Sequence, residues 1–114
     1  MVIQRSEMRI EKREKVRDGE GTAVFTHLVE CENEKNAKLL AEISLPVGAS
    51  IGYHQHDSET EYYFILSGSG SVNDNGTERT VKAGDSIITG NGASHSIKNT
   101  GNVPLVFHAI IVTY

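Results

Sequence analysis

Two histidines one residue apart, His54 and His56, stand in the stretch "GYHQHDSETEYYF", and Glu61 follows within the same window. On a strand, residues i and i+2 face the same side about 6.6 Å apart along the chain. His54 and His56 therefore point into one space while Gln55 points away. That spacing lets two imidazoles converge on one ion at metal–nitrogen distances near 2.1 Å. Glu61 opens the next strand after the short turn "DSET", and a hairpin return would set its carboxylate beside the two rings. A fourth group, His95, lies further on, after the glycine-rich "GNGAS". The chemistry open to such a set is metal binding. The same pair also occurs as two hydrogen-bonded surface imidazoles, and Asp57, Glu59 and Glu61 are alike by composition as solvated turn residues.

The elements that must position these groups are short strands. "TAVFTHLVE" alternates, and the cluster "CENEKNAK" breaks it. "LLAEISL" alternates again, with Leu39, Ala41, Ile43 and Leu45 on one face and Leu40, Glu42 and Ser44 on the other. "EYYFILS" follows, and Tyr63 shares its parity with Glu61, so it is expected to point inward with the metal side. Tyr62, of opposite parity, is expected outside. "NDNGT" carries the Asn75-Gly76 hairpin signal, because both residues tolerate positive φ. "SIIT", "HSIKN" and "PLVFHAIIV" continue the beat of strand and turn. No segment after residue 20 shows a helical period. Many short strands at this spacing predict an all-β, antiparallel sandwich or barrel, with a jelly roll the simplest choice. The mixed-charge "RSEMRIEKREKVRDGE" reads as a solvated, partly extended arm in which Met8 and Ile10 alternate with charges as in an edge strand. The expected organisation is an N-terminal arm over 1–20 and a barrel over 21–114.

With 114 residues the chain is long enough for one self-sufficient core. Its single cysteine, Cys31, excludes an internal disulfide and fits a reducing compartment. The N-terminus lacks the apolar h-region of a signal peptide, and no apolar run approaches the roughly 20 residues of a membrane helix. These features predict a cytoplasmic protein without a membrane partner. A net charge of -4 with interspersed signs gives no basic face for nucleic acid.

The larger pattern resembles the cupin family. Its first motif, G-x5-H-x-H-x4-E-x6-G, is filled in register by Gly48, His54, His56, Glu61 and Gly68. Its second, G-x5-P-x-G-x2-H-x3-N, is matched by Gly84, Gly92, His95 and Asn99, with Gly90 in place of the proline. The intervening segment, Ser69 to Ala83, is short, as in small bacterial cupins. The resemblance implies a cupin-type double-stranded β-helix, with His54, His56, Glu61 and His95 as the metal ligands. It also implies one divalent transition metal per chain, and homodimers that often exchange N-terminal strands.

Three imidazoles and a carboxylate form a borderline donor set that suits Mn, Fe, Ni, Co, Cu or Zn. Two classes of function are compatible with it. The first, towards which the reading leans, is a metal-dependent enzyme acting on a small oxygen-rich metabolite, of dioxygenase, decarboxylase or isomerase type. The other is a non-catalytic module that binds a small ligand or senses a metal. An enzyme needs an acid or base beyond the ligands, and Tyr63 and His108 are the candidates. Each also has a plain structural role open to it: Tyr63 as an inward core aromatic, His108 as a buried, hydrogen-bonded imidazole in an apolar strand.

Overall fold

A computed structural model describes residues 1–114. Ten strands follow one another: β1 (Arg9–Glu14), β2 (Thr22–His27), β3 (Ala37–Leu45), β4 (Ser50–Gln55), β5 (Glu59–Ser67), β6 (Ser69–Asp74), β7 (Thr77–Lys82), β8 (Ser86–Gly90), β9 (Ser94–Asn99) and β10 (Leu105–Thr113). They form two antiparallel sheets, one of six strands in the order β1-β2-β3-β10-β5-β8 and one of four in the order β4-β9-β6-β7. From β3 to β6 and again from β7 to β10 successive strands alternate between the sheets, which makes the sandwich a jelly roll. The only helical pieces are two 3-10 turns, Arg5–Glu7 and Val16–Asp18. No helix is long and apolar enough to cross a membrane.

Alternation explains how each sheet closes on the other. In β3, Ala41, Ile43 and Leu45 are buried while Glu42 and Ser44 stand on the outer face. In β10 the buried set is Leu105, Phe107, Ala109 and Ile111, with Val106, His108 and Ile110 between them half-buried. The smaller sheet answers with Ile51, Val72 and Ile97, and these residues join Phe25 and Tyr63 in one core cluster. The Asn75-Gly76 pair turns β6 into β7 with φ of 50° and 102°, as the hairpin signal requires. Asn99, at the end of β9, is buried and fully used. Its Nδ2 donates to the carbonyls of Leu45 (2.9 Å) and Val103 (2.8 Å), and its Oδ1 accepts from the Gly101 amide.

Some boundaries differ from the sequence reading. β2 stops at His27, because the Leu28 and Val29 amides both turn to the Leu40 carbonyl. Glu59 and Thr60, read as turn, are instead the first two residues of β5, paired with β10 and, at Thr60, with Gly90 of β8. Gly90 ends β8 in a close approach to β5, where an added Cβ would lie 2.3 Å from Thr60 Oγ1 and 2.9 Å from the Glu59 carbonyl. The arm is ordered against the sheet: β1 runs along β2 as an edge strand, with Ile10 exposed. Arg13 lies over the Phe25 ring at 4.2 Å, and His27 bonds Glu11 at 2.8 Å.

Candidate metal centre

The four expected ligands come from both sheets. His54 lies on β4 opposite His95 of β9, past an irregularity between Ile51 and His54 that re-aims the strand. His56 sits one residue beyond β4, fixed by its own amide bond to the Ala93 carbonyl. Glu61 arrives from β5 of the larger sheet. The four donor atoms lie within 4.8 Å of one another, and the three imidazole rings stand 4.7 to 4.8 Å apart, steeply tilted in every pair. His56, Glu61 and His95 are buried.

Every histidine has its Nδ1 engaged away from the centre. His54 Nδ1 meets the Gly52 carbonyl at 2.6 Å, His56 Nδ1 meets Glu59 Oε2 at 2.5 Å, and His95 Nδ1 meets Thr89 Oγ1 at 2.9 Å. With the proton on Nδ1, each Nε2 carries a free lone pair directed at the centre. Those lone pairs crowd. His56 and His95 Nε2 are 3.0 Å apart, and His95 and His54 Nε2 3.2 Å. Glu61 Oε1 lies 2.9 Å from His95 Nε2 and 3.0 Å from His56 Nε2, yet it is a buried oxygen without a hydrogen-bond partner. Converging lone pairs and an orphaned carboxylate oxygen need a cation among them. The residues present therefore fit a bound metal ion.

The spacings also bear on coordination. At about 2.1 Å from an ion, adjacent donors of a six-coordinate shell lie about 3.0 Å apart and opposite ones about 4.2 Å, whereas tetrahedral donors are all about 3.4 Å apart. Here the four short separations run from 2.9 to 3.2 Å, and His54 Nε2 to Glu61 Oε1 is 4.0 Å. The four donors are thus close enough to converge on a single ion.

Without a cation the charges settle in a characteristic way. Burial opposes ionisation of Glu61, but the surrounding imidazoles of His54, His56 and His95 favour the carboxylate and hold the carboxyl well below its usual range. Burial likewise lowers His56, but Glu61 and Glu59 on either side of it raise its proton affinity above the ordinary imidazole value. At His95 burial prevails and the value falls. The same carboxylates that would hold a metal thus also attract a competing proton to His56.

The match of the family described as Cupin domain spans residues 41–112, most of the chain. This chain belongs to the cupin family. The cupin is 44% identical over 113 residues to "Oxalate-binding protein" of Thermotoga maritima, a match that covers 98% of this chain and 93% of the relative. It superposes on the crystal structure of a predicted oxalate decarboxylase from the same organism with a TM-score of 0.94 and 43% identity over the full length of both chains. A polyketide cyclase of Streptomyces resistomycificus shares the fold alone, with a TM-score of 0.75 and 17% identity over 99% of this chain and 78% of the other.

Of the two acid–base candidates, Tyr63 stands beside the cluster. It is buried, its ring stacks on His95 at 4.9 Å, and it tilts against Phe107 at 4.5 Å. Burial and the negative Glu61 carboxylate push its phenol well above the usual value, so it stays protonated. His108 is not brought to the cluster. Phe107 and Ala109 occupy the inward positions of β10, so His108 faces outward, a third exposed, with its Nε2 3.5 Å from Glu42 Oε1. Nor is it the buried imidazole that its apolar strand led one to expect.

Glu59 was missed as more than a turn residue. It holds His56 from outside the shell and accepts from Lys38 Nζ at 2.9 Å, with only 13% of its side chain exposed. Its parity with Glu61 and Tyr63 was the available signal, obscured by ending the strand at Glu61. Asp57 is exposed, as expected. The other unforeseen feature is a pocket of about 260 Å³ onto which His54, His56 and Glu61 open. Its wall includes Arg13 and Arg17 of the arm, and Lys38 of β3.

Proposed function

We propose that this cupin holds one divalent transition metal on His54, His56, Glu61 and His95 and uses it to bind a small dicarboxylate, with oxalate as the ligand. The observation that carries the reading is the pocket, whose lining joins His54, His56 and Glu61 of the donor cluster to Arg13, Arg17 and Lys38. A dianion is the ligand that both features attract. The 44% identical relative named for oxalate binding supports the same choice. Four protein donors would leave two positions of a six-coordinate ion open to carboxylate oxygens. A bound divalent ion would supply Lewis-acid attraction for those oxygens. The chain's own residues fix the rest. Gly52, Glu59 and Thr89 orient the imidazoles, while Phe25, Leu39, Ile43 and Ile111 line the apolar part of the wall.

A second reading is turnover of the same ligand by decarboxylation, supported by the structural neighbour described as a predicted oxalate decarboxylase. It requires delivery of a proton to the product. Tyr63 is a poor acid, Glu59 is engaged by His56 and Lys38, and His108 lies on the outer face, so binding without turnover fits the residues better. Calorimetry of metal-loaded protein with oxalate, followed by assay of the recovered ligand, separates the readings. Saturable, metal-dependent binding with oxalate recovered unchanged is expected. Formate and carbon dioxide in equal amounts would establish decarboxylation. A metal-loaded protein that does not bind oxalate contradicts both.

A further inference from the structure

The 3-10 turn that closes the arm is strained. Lys15, Arg17 and Asp18 all adopt left-handed backbone conformations, with φ of 50°, 52° and 63°. Side-chain-bearing residues occupy that region at a cost, and such strain persists only where the surroundings enforce it. Here the enforcement is backbone laid on backbone. A Cβ on Gly19 would lie 2.2 Å from the Ser50 carbonyl oxygen, and one on Gly52 would lie 1.9 Å from the Arg17 carbonyl oxygen. Hydrogen bonds lock the crossing: Ser50 N donates to the Glu20 carbonyl, Glu20 N to Ser50 Oγ, and Gly19 N to the Val16 carbonyl. Gly52 also supplies the carbonyl that orients His54. The turn is therefore registered against the strand that carries the metal ligands.

This turn delivers Arg17 to the wall of the pocket. Of the three cations there, Arg13 is paired with Glu11 at 3.0 Å and Lys38 with Glu59 at 2.9 Å. Arg17 has neither an ion pair nor a side-chain hydrogen bond, so its planar donor fork is free. We propose that Arg17 is the anion-recognising residue of the site, binding the carboxylate of the ligand that the metal does not neutralise and so selecting dicarboxylates over monocarboxylates. A guanidinium presents paired N–H groups that match a carboxylate, and the strained turn fixes the point from which the Arg17 side chain leaves the backbone. The inference rests on the oxalate reading given above.

The test compares wild-type, Arg17→Gln and Arg17→Gly proteins, each loaded with manganese, by calorimetry with oxalate and with acetate. Both variants should keep one metal per chain. Oxalate affinity should fall about 10- to 100-fold in each, while acetate affinity changes less than about threefold. Arg17→Gly should melt no lower than wild type, since glycine relieves the left-handed strain. Unchanged oxalate affinity in both variants would overturn the role of Arg17 and leave the oxalate reading intact. An equal loss for oxalate and acetate would overturn the selectivity. A wild-type protein that binds no oxalate overturns both readings together.

Discussion

His56 and Glu59 are joined through the ring nitrogen that faces away from the cluster, so a carboxylate outside the donor set decides which nitrogen of His56 is free to bind. The same carboxylate accepts from Lys38. Burial opposes its ionisation, but the bonds from Lys38 and His56 prevail and keep it below the usual carboxylate range. Replacing Glu59 by Gln should weaken metal affinity about 10- to 100-fold without removing a ligand, because outer partners orient and polarise the imidazole. Competition against a calibrated chelator measures this. Unchanged affinity would mean that the contact only packs the strand.

Metal occupancy should depend on pH with a defined sign. Glu61 and Glu59 raise the proton affinity of His56, and a protonated imidazole cannot bind. Protons therefore compete for the site increasingly as pH falls, and metal should leave over the range just below neutrality, around the imidazole value of about 6.5. Loading the apoprotein at pH 7 should release protons, which is measurable by calorimetry in buffers of different ionisation enthalpy. Occupancy that stays flat down to pH 4 would contradict a three-histidine site.

The arm has its own pH dependence. Arg13, then His27, hold Glu11 down to a value of about 2, from 4.5. A depressed carboxyl stabilises the fold above its unfolded value and loses that contribution as pH falls through the folded one. The contacts of β1 with β2 should therefore loosen between about pH 4.5 and pH 2. Because the metal site also fails in acid, Glu11→Gln at pH 7 is the cleaner probe. It should lower amide protection in β1 while leaving β10 unaffected. Equal protection in both proteins would show that backbone pairing alone holds the arm.

Asn99 supports the fold rather than the chemistry. Substituting Ala removes both bonds from Nδ2 and leaves the Leu45 and Val103 carbonyls without that donor. Unmaking buried hydrogen bonds of this kind costs roughly 2–4 kcal/mol in total. Urea unfolding should show that loss together with normal metal content. A loss below about 0.5 kcal/mol would contradict the structural role.

Much of this was legible in the sequence because strands write their facing into period-two alternation. Leu39 to Leu45 gave the inner face of β3, Asn75-Gly76 gave a hairpin, and spacing paired His54 with His56, while only the resemblance to the cupin motifs added Glu61 and His95 to the expected donor set. Parity also placed Tyr63 beside the site and Tyr62 outside, stacked on Phe64. The same rule, carried through "PLVFHAIIV", would have turned His108 outward, since Phe107 and Ala109 are the buried pair. Glu59 was hidden by a strand boundary set two residues late. Arg17 carried no signal at all. Its place depends on left-handed backbone at residues with side chains and on glycines 33 residues apart, Gly19 and Gly52, meeting across two elements. Neither propensity nor periodicity encodes such a contact.

The most direct test of the account is the metal content of purified, untagged protein after loading and desalting, measured by elemental analysis for wild type and for His54→Ala/His56→Ala. The account predicts close to one divalent transition metal per chain in the wild type and none in the double variant. Full occupancy retained by the double variant, or none in the wild type, would contradict it.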